Sequence, residues 1–362
     1  MIFYLIILVL LLTYIVLILY AKKGWLSLVE ENHNISKEDL PMVSVVVIFK
    51  NEKDNLPQLL NSLANQQYPY DLFEIIAVND HSDDNYDYSQ LNSENVRVIN
   101  SVNSGKKASI KEGIHLAKGE IILTTDADCK IEHGWIKSMV NTLLSSDSNM
   151  VLGSVLLTNS KQSFFQKFQL ADFSALQIVG AGMTANKNPI FCNAANMGFY
   201  KKDWSEAIKI IKGEEFLSGD DVFLLHAFKK LDKKIVFNKS KDSKIYTYPK
   251  KDLKSFINQR IRWGGKTVGY NDATTMFVAI LVFMTNLFLA LQLILGVLDT
   301  YFTLTFIGTL IIKSTVDFLL LRSGKEFYNI KINFFQFLIF STIYPFYIIY
   351  SAIMGPFRIN KW

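Results

Sequence analysis

Val43-Ser44-Val45-Val46-Val47-Ile48-Phe49 is a seven-residue stretch of mostly β-branched side chains, opened by Pro41 and closed by the polar Lys50-Asn51-Glu52. A run so short and so apolar reads as a strand buried on both faces. Working outward, Leu56, Leu59, Leu60 and Leu63 recur at helical spacing, and Phe73-Glu74-Ile75-Ile76-Ala77-Val78 predicts a second strand. Val96 to Ile99 and Glu120 to Thr124 predict two more, with a helix from about Lys107 to Ala117 between them. Strands alternating with helices imply an α/β layer with a largely parallel sheet. Ligands bind such sheets beyond the carboxyl ends of the strands. Asp80 follows the second strand there, and Asp126-Ala127-Asp128 follows a later one.

The rest of the chain is different. Half of its 362 residues are hydrophobic, and they concentrate at the N-terminus and in the last ninety or so positions. Ile2 to Tyr20 carries no charge and is long enough to cross a bilayer core of roughly 20 residues. It lacks the basic lead and small-residue cleavage site of a signal peptide, so it reads as an anchor. Thr275 to Val297, Tyr301 to Leu321 and Phe334 to Met354 are also of spanning length, separated by Asp299 and by the polar stretch Arg322 to Asn333. Asp317 stands out as the one carboxylate inside a span, and is the only internal ionisable residue this reading recognises. That scarcity argues against a transporter or channel.

Positive-inside counting places Lys22 and Lys23, and with them the polar middle of the chain, in the cytosol. Arg322, Lys325 and Lys331 then fall on the same side, but a fourth crossing would put Arg358 and Lys361 on the other. The last span is therefore open to a re-entrant reading. A net charge of +5, with lysines scattered among acids, is explained by an anionic membrane surface without invoking nucleic acid. Cys129 and Cys192 have no metal-ligand spacing and read as free thiols. The expected division is an anchor at 1–21, a cytosolic α/β domain at 40–240, an interfacial segment at 241–273 and membrane helices at 274–356. Phe164 to Leu170 is amphipathic and fits either a membrane-interface helix or a core-covering one.

Several motifs carry chemistry, and each is weak alone. Asp126 and Asp128 offer oxygen ligands to a hard divalent cation that would bridge to a diphosphate, although surface turns hold many such pairs. Asp80 can accept from a nucleobase or ribose, or cap its turn; Glu52 can serve the same pocket or cap the next helix. Lys106 and Lys107 follow Gly105 at a helix start, where either could point at a diphosphate or simply form an exposed basic turn. Asp220 and Asp221 open an apolar helix, where a carboxylate can act as general base or simply favour the helix N-terminus. Gln259-Arg260-Ile261-Arg262-Trp263 precedes the first C-terminal span; Arg262 could fork onto a diphosphate and Trp263 present a flat face to a sugar, or both could form an interfacial belt.

The order of these motifs is more specific than any one of them. From Met42 to Trp263, Asp80, Asp126-Ala127-Asp128, Asp220-Asp221 and Gln259-x-x-Arg262-Trp263, followed by apolar spans, resemble the membrane-integrated branch of glycosyltransferase family 2, which includes cellulose, hyaluronan and poly-N-acetylglucosamine synthases and ceramide glucosyltransferase. The resemblance implies a GT-A fold with a mixed, largely parallel sheet, and an inverting hexosyltransferase using Mg2+ or Mn2+. Asp80, with Glu52 nearby, would meet the uracil of a UDP-sugar, and Lys106 would lie close to the donor. Asp126 and Asp128 would hold the metal, Asp128 the more directly. Asp221 would be the base, with Asp220 where many members have Glu. Gln259 and Arg262 would hold the diphosphate, Trp263 would line the acceptor site, and Asn196, in a looser match, would lie on the acceptor side. A polysaccharide or a lipid would be the acceptor, at the cytosolic face of the cell membrane. One span before and three after leave little material for a polymer channel, so a single-transfer glycolipid synthase stands beside a processive one. An inactive membrane-bound binding subunit is the rival from another class.

Overall fold

The computed structural model describes residues 2–30, 37–158, 163–212 and 220–358. In chain order they form α1 (Ile2–Ser27), β1 (Val43–Phe49), α2 (Leu56–Ala64), β2 (Phe73–Asn79), β3 (Val96–Asn100), α3 (Lys106–Leu116), β4 (Ile121–Asp126), β5 (Lys130–Ile131), α4 (Trp135–Ser145), β6 (Met150–Gly153), β7 (Val155–Leu157), α5 (Phe164–Ala185), β8 (Met197–Tyr200), α6 (Lys201–Ala207), α7 (Asp220–Lys230), β9 (Ile235–Asn238), β10 (Ile245–Thr247), α8 (Leu253–Gly265), α9 (Ala273–Leu295), α10 (Thr300–Ser323) and α11 (Phe334–Met354). They gather into two units that interleave along the chain, Leu28–Thr158 with Phe191–Tyr248, and Met1–Ser27 with Asn159–Ile190 and Pro249–Trp362.

The first unit is the α/β layer. Its main sheet runs β3-β2-β1-β4-β8-β6-β9. β1 pairs in parallel with β2 on one side and β4 on the other, which makes the β1/β4 boundary a topological switch point. β8 runs antiparallel between β4 and β6, so the sheet is mixed but mostly parallel. All seven residues of β1 are buried, as a central strand covered on both faces requires. One face packs Val46, Ile76, Val78 and Ile122 with Ile114 of α3 and Leu225 and Phe228 of α7. A Cβ on Gly113 would stand 2.7 Å from Val46, so α3 approaches the sheet closely only because that position is bare. β5, β10 and β7 form a small second sheet.

The second unit holds four helices long and apolar enough to cross a membrane, α1, α9, α10 and α11. The ends of these helices lie within a few residues of the spans expected from the sequence. α5 also belongs here rather than to the α/β layer. Its backbone meets α1 directly: a Cβ on Gly182 would lie 1.9 Å from the Ala21 carbonyl, and one on Gly24 would lie 2.1 Å from that of Gly182. Small residues permit this approach, and it is why the unit boundaries are not contiguous blocks of sequence.

Asp317 is not alone in its span. Lys313, which the sequence reading overlooked, places its ammonium 2.7 Å from Asp317 and 5.0 Å from the rings of both Tyr14 and Tyr344. The Tyr14 hydroxyl donates to Asp317 at 2.8 Å. A lysine flanked by Ile311, Ile312 and Val316 vanishes into a windowed hydropathy average. Pairing across one helical turn, with aromatic faces around the cation, lowers the desolvation penalty that makes such residues rare in spans.

Candidate active site

The site grows from the strand ends at the switch point. Phe49 of β1 pairs with Asn79 of β2, and Ile48 pairs with Asp126 of β4, so the segments leaving these strands emerge side by side. Asn51 and His81 both have φ near +60°, a left-handed conformation that turns each chain sharply away from the sheet. The two turns are laced together. The Asn51 amide donates to Asp83 at 2.7 Å while its oxygen accepts from the Asp83 N–H at 2.8 Å, and the Asn51 N–H donates to Ser82.

Glu52 lies half-buried in the first turn, its carboxylate accepting from Asn55 at 2.7 Å. Its N–H donates to the hydroxyl of Tyr88, which in turn donates to Asp84 at 2.6 Å. Burial, and then the Asp84 carboxylate, push the Tyr88 phenol up to about 12, so it remains a neutral strut. Asp80 is buried, and its Oδ1 accepts from the Gly105 N–H at 2.7 Å. Gly105 has φ +108° with nothing within 4 Å of a Cβ placed on it. Glycine is needed there for backbone conformation rather than for space.

Gly105 is the N-cap of α3, and Lys106 reaches across to Asp126, Nζ to Oδ1, at 2.6 Å. Asp80, Gly105, Lys106 and Asp126 thus form one chain of contacts across the ends of β2 and β4. Asp128 is half-exposed after the buried Ala127, in a turn closed by the Cys129 N–H donating to the Asp126 carbonyl. Cys129 and Cys192 are both buried free thiols. Burial, and then Asp126 and Asp128, hold the Cys129 thiol well above its ordinary range; it stays protonated and is not a nucleophile.

The Asp220–Asp221 helix start reaches the same corner. Lys107 stands 5.1 Å above the ring of Phe223, which ties the first turn of α3 to the first turn of α7. The Asp221 Oδ1 accepts from the N–H of Val222 at 2.8 Å. The side chain of Asp220 lies outside the described residues.

Asn196 departs from expectation. It is fully buried, its oxygen accepts from Trp135 Nε1 at 3.0 Å, and its nitrogen donates to the carbonyls of Ser154 and Ser243 at 2.8 and 2.7 Å. With both amide atoms engaged and no exposed surface, it is a strut of the fold and offers nothing to an acceptor.

Gln259, Arg262 and Trp263 sit on α8 in the other unit. Arg262 is exposed and Trp263 half-buried. Between them, Arg260 was passed over in the sequence. It is buried, pairs with Asp172 of α5 at 2.5 Å, and lays its guanidinium 4.3 Å over Trp263 and 4.6 Å over Phe256. Tyr347 of α11 donates to the same aspartate. The available signal was an arginine at helical spacing between two aromatics, at i−4 and i+3.

Among the described residues no three His, Cys, Asp or Glu side chains gather as a metal cluster. Two carboxylates on one turn still fit a hard cation that takes its remaining oxygens from a diphosphate. A mixed, mostly parallel sheet with acids and a Gly-Lys helix start at its switch point places these groups where open α/β sheets bind their ligands. Residues 44–208 match the family model described as Glycosyl transferase family 2.

The chain is 28% identical over 142 residues to the beta-monoglucosyldiacylglycerol synthase of Trichormus variabilis, covering 37% of this chain and 30% of that protein. It is 22% identical over 232 residues to a Methanococcus voltae dolichyl N-acetyl-alpha-D-glucosaminyl phosphate 3-beta-D-2,3-diacetamido-2,3-dideoxy-beta-D-glucuronosyltransferase, covering 61% and 71%. The chain spans well under half the length of the first curated relatives it matches. Its structure is similar to that of a mannosyltransferase from Pyrobaculum calidifontis solved in complex with GDP-Man and Mn2+, with TM-score 0.57, 17% identity and 98% of both chains covered. The fold is the GT-A type that the resemblance implied.

Proposed function

We propose that the chain is an inverting glycosyltransferase that moves a hexose from a nucleotide-sugar, a UDP-sugar on the family pattern, to a membrane-bound acceptor at the cytosolic face of the cell membrane. The observation that carries this is the run of contacts from Asp80 through Gly105 and Lys106 to Asp126, with the Asp221 helix start tied to the same corner through Lys107 and Phe223. One ligand with a polar base, a diphosphate and a reacting sugar would use all of these groups.

In this reading Asp80 and Glu52 hold the nucleoside and Lys106 pairs with the diphosphate. A divalent cation, Mg2+ or Mn2+, held by Asp126 and Asp128, supplies neutralisation of the charge on the leaving diphosphate. The Mn2+ complex of the Pyrobaculum neighbour supports a cation in a fold of this type. Asp221 accepts the proton of the acceptor hydroxyl as it attacks the anomeric carbon. For Gln259, Arg262 and Trp263, roles at the diphosphate and the acceptor rest on the family motif. A lipid acceptor with a single transfer is favoured over a polysaccharide, because the names of the Trichormus and Methanococcus relatives described above refer to lipid-linked substrates or products.

The test is mass analysis and anomeric assignment of the products formed by the full chain in membranes from a panel of UDP- and GDP-sugars. One added sugar of inverted configuration on lipid is expected, and a polymer would select the processive alternative. Asp221→Asn should cut transfer by roughly 10²- to 10⁴-fold while nucleotide binding persists; full turnover in that variant would sink the assignment of the base.

A further inference from the structure

α11 is 21 residues long, about 32 Å, and apolar enough to cross a bilayer. Its contacts give it another placement. At its start, Phe334 and Phe337 pack on Phe318, with ring centroids at 5.3 and 5.5 Å; Phe318 is five residues before the end of α10. At its end, Gly355 lies against Gly265, where a Cβ would stand 2.5 Å from the Gly265 nitrogen. From Gly265 to Ala273, the first residue of α9, the chain advances only eight residues, and Lys266–Gly269 are coiled in a 3-10 turn. That stretch reaches roughly 22 Å at most, short of a hydrocarbon core of about 30 Å.

α9 and α10 form an antiparallel hairpin through the short turn at 296–299, where Thr303 donates to the Gly296 carbonyl and Gln292 to Thr309. The start of α9 and the end of α10 are therefore on one membrane face, and both ends of α11 are tied to that face. The middle of α11 agrees. Phe340 and Tyr347 both pack on Phe168 of α5, and α5 continues past the end of α10, where Ile178 meets Gly324, to the end of α1 at Ala21 and Gly24.

We infer that α11 does not cross the membrane but lies along the face where α1 and α10 end, its apolar stripe immersed in the bilayer. The stripe is Phe335, Ile339, Ile343, Phe346, Tyr350 and Ile353, all exposed and spaced by three or four residues, one continuous helical face. The opposite face, with Phe337, Phe340, Tyr347 and Ser351, is buried in the unit. Lipid is the occupant that chain reach dictates: a helix tethered at both ends beside three spanning helices presents its apolar face to the same hydrocarbon. The placement also restores the charge rule, because Arg358 joins Lys22, Lys23, Arg322, Lys325 and Lys331 on one face.

The full chain in sealed vesicles tests this with Lys325→Cys, Leu298→Cys and Arg358→Cys and a membrane-impermeant maleimide, against the background of the two buried native thiols. Labelling of positions 325 and 358 from one side, and of 298 from the other, is expected. Labelling of 358 from the side of 298 overturns the inference. If 358 does not react, a protease site appended after Trp362 reads the same question, with cleavage from the side of 298 overturning it. A nitroxide on Phe346→Cys should collide more with oxygen dissolved in lipid than with an aqueous nickel complex. Shielding from both would mean that a second protein chain covers the stripe, and would overturn lipid as its occupant.

Discussion

The ammonium of Lys106 stands 2.6 Å from Oδ1 of Asp126, joining the first residue of α3 to the last residue of β4. Both side chains are about a third exposed, and a pair so open to solvent contributes at most about 1 kcal/mol. It is therefore easily exchanged when a diphosphate offers Lys106 a better anion. Lys106→Ala should weaken donor binding by about 10- to 100-fold, the worth of one charge-assisted hydrogen bond, with the unfolding midpoint nearly unchanged. Calorimetric titration with nucleotide measures it, and unaltered affinity would remove Lys106 from the donor site.

With only two carboxylates on the Asp126–Asp128 turn, a cation lacks a full protein shell. Mn2+ should bind weakly to the protein alone and far more tightly with a nucleoside diphosphate present. Chelation should stop transfer reversibly without shifting the unfolding midpoint. Tight Mn2+ binding in the absence of nucleotide, followed by titration, would contradict this two-ligand account.

Asn196→Ala should destabilise the protein without changing donor affinity at low temperature. The change takes a partner from the Trp135 N–H and the Ser243 carbonyl in the interior, while the Ser154 carbonyl keeps its bond from the Ile245 N–H. Each loss costs about 1–3 kcal/mol, so a drop of several degrees in the thermal midpoint is expected. A normal midpoint combined with lost acceptor binding would return Asn196 to the acceptor side.

Arg260 and Asp172 are both buried, so removing one charge should be worse than removing both. Arg260→Met or Asp172→Asn alone should cost about 3–5 kcal/mol, while the double change to Met and Leu should recover much of it. Thermal melts of the three variants decide this. Equal losses in all three would show that the pair does not act as a unit.

Gly182→Ala should loosen α5 from α1, because the added carbon would sit 1.9 Å from the Ala21 carbonyl, and backbone cannot yield as a flexible side chain does. A lower thermal midpoint is expected. A midpoint unchanged from the wild type would show that the two helices separate at no cost.

Strands β1 to β4, the apolar helices and the order of acidic motifs were legible in the sequence because each is local, whereas the short strands β5 to β10 were not read. Periodicity also found the ends of β1, β2 and α11 within a residue or two. It could not see that β4 lies beside β1 rather than β3, the relationship that puts Asp126 next to the turn of Glu52. Nor could it see that Asn196, polar and beside a loop in sequence, is held at the centre of three interior hydrogen bonds. Lys313 and Arg260 escaped for the same reason, since a charge is explained by its partner, and Asp317 aside, the partners Tyr14, Tyr344 and Asp172 lie far away in sequence. The sequence by itself determined the chemistry at each strand end and the apolar character of each helix. Only the tertiary structure decided which of these groups meet, because contacts between distant residues depend on strand order and helix packing, and neither is encoded in any one segment.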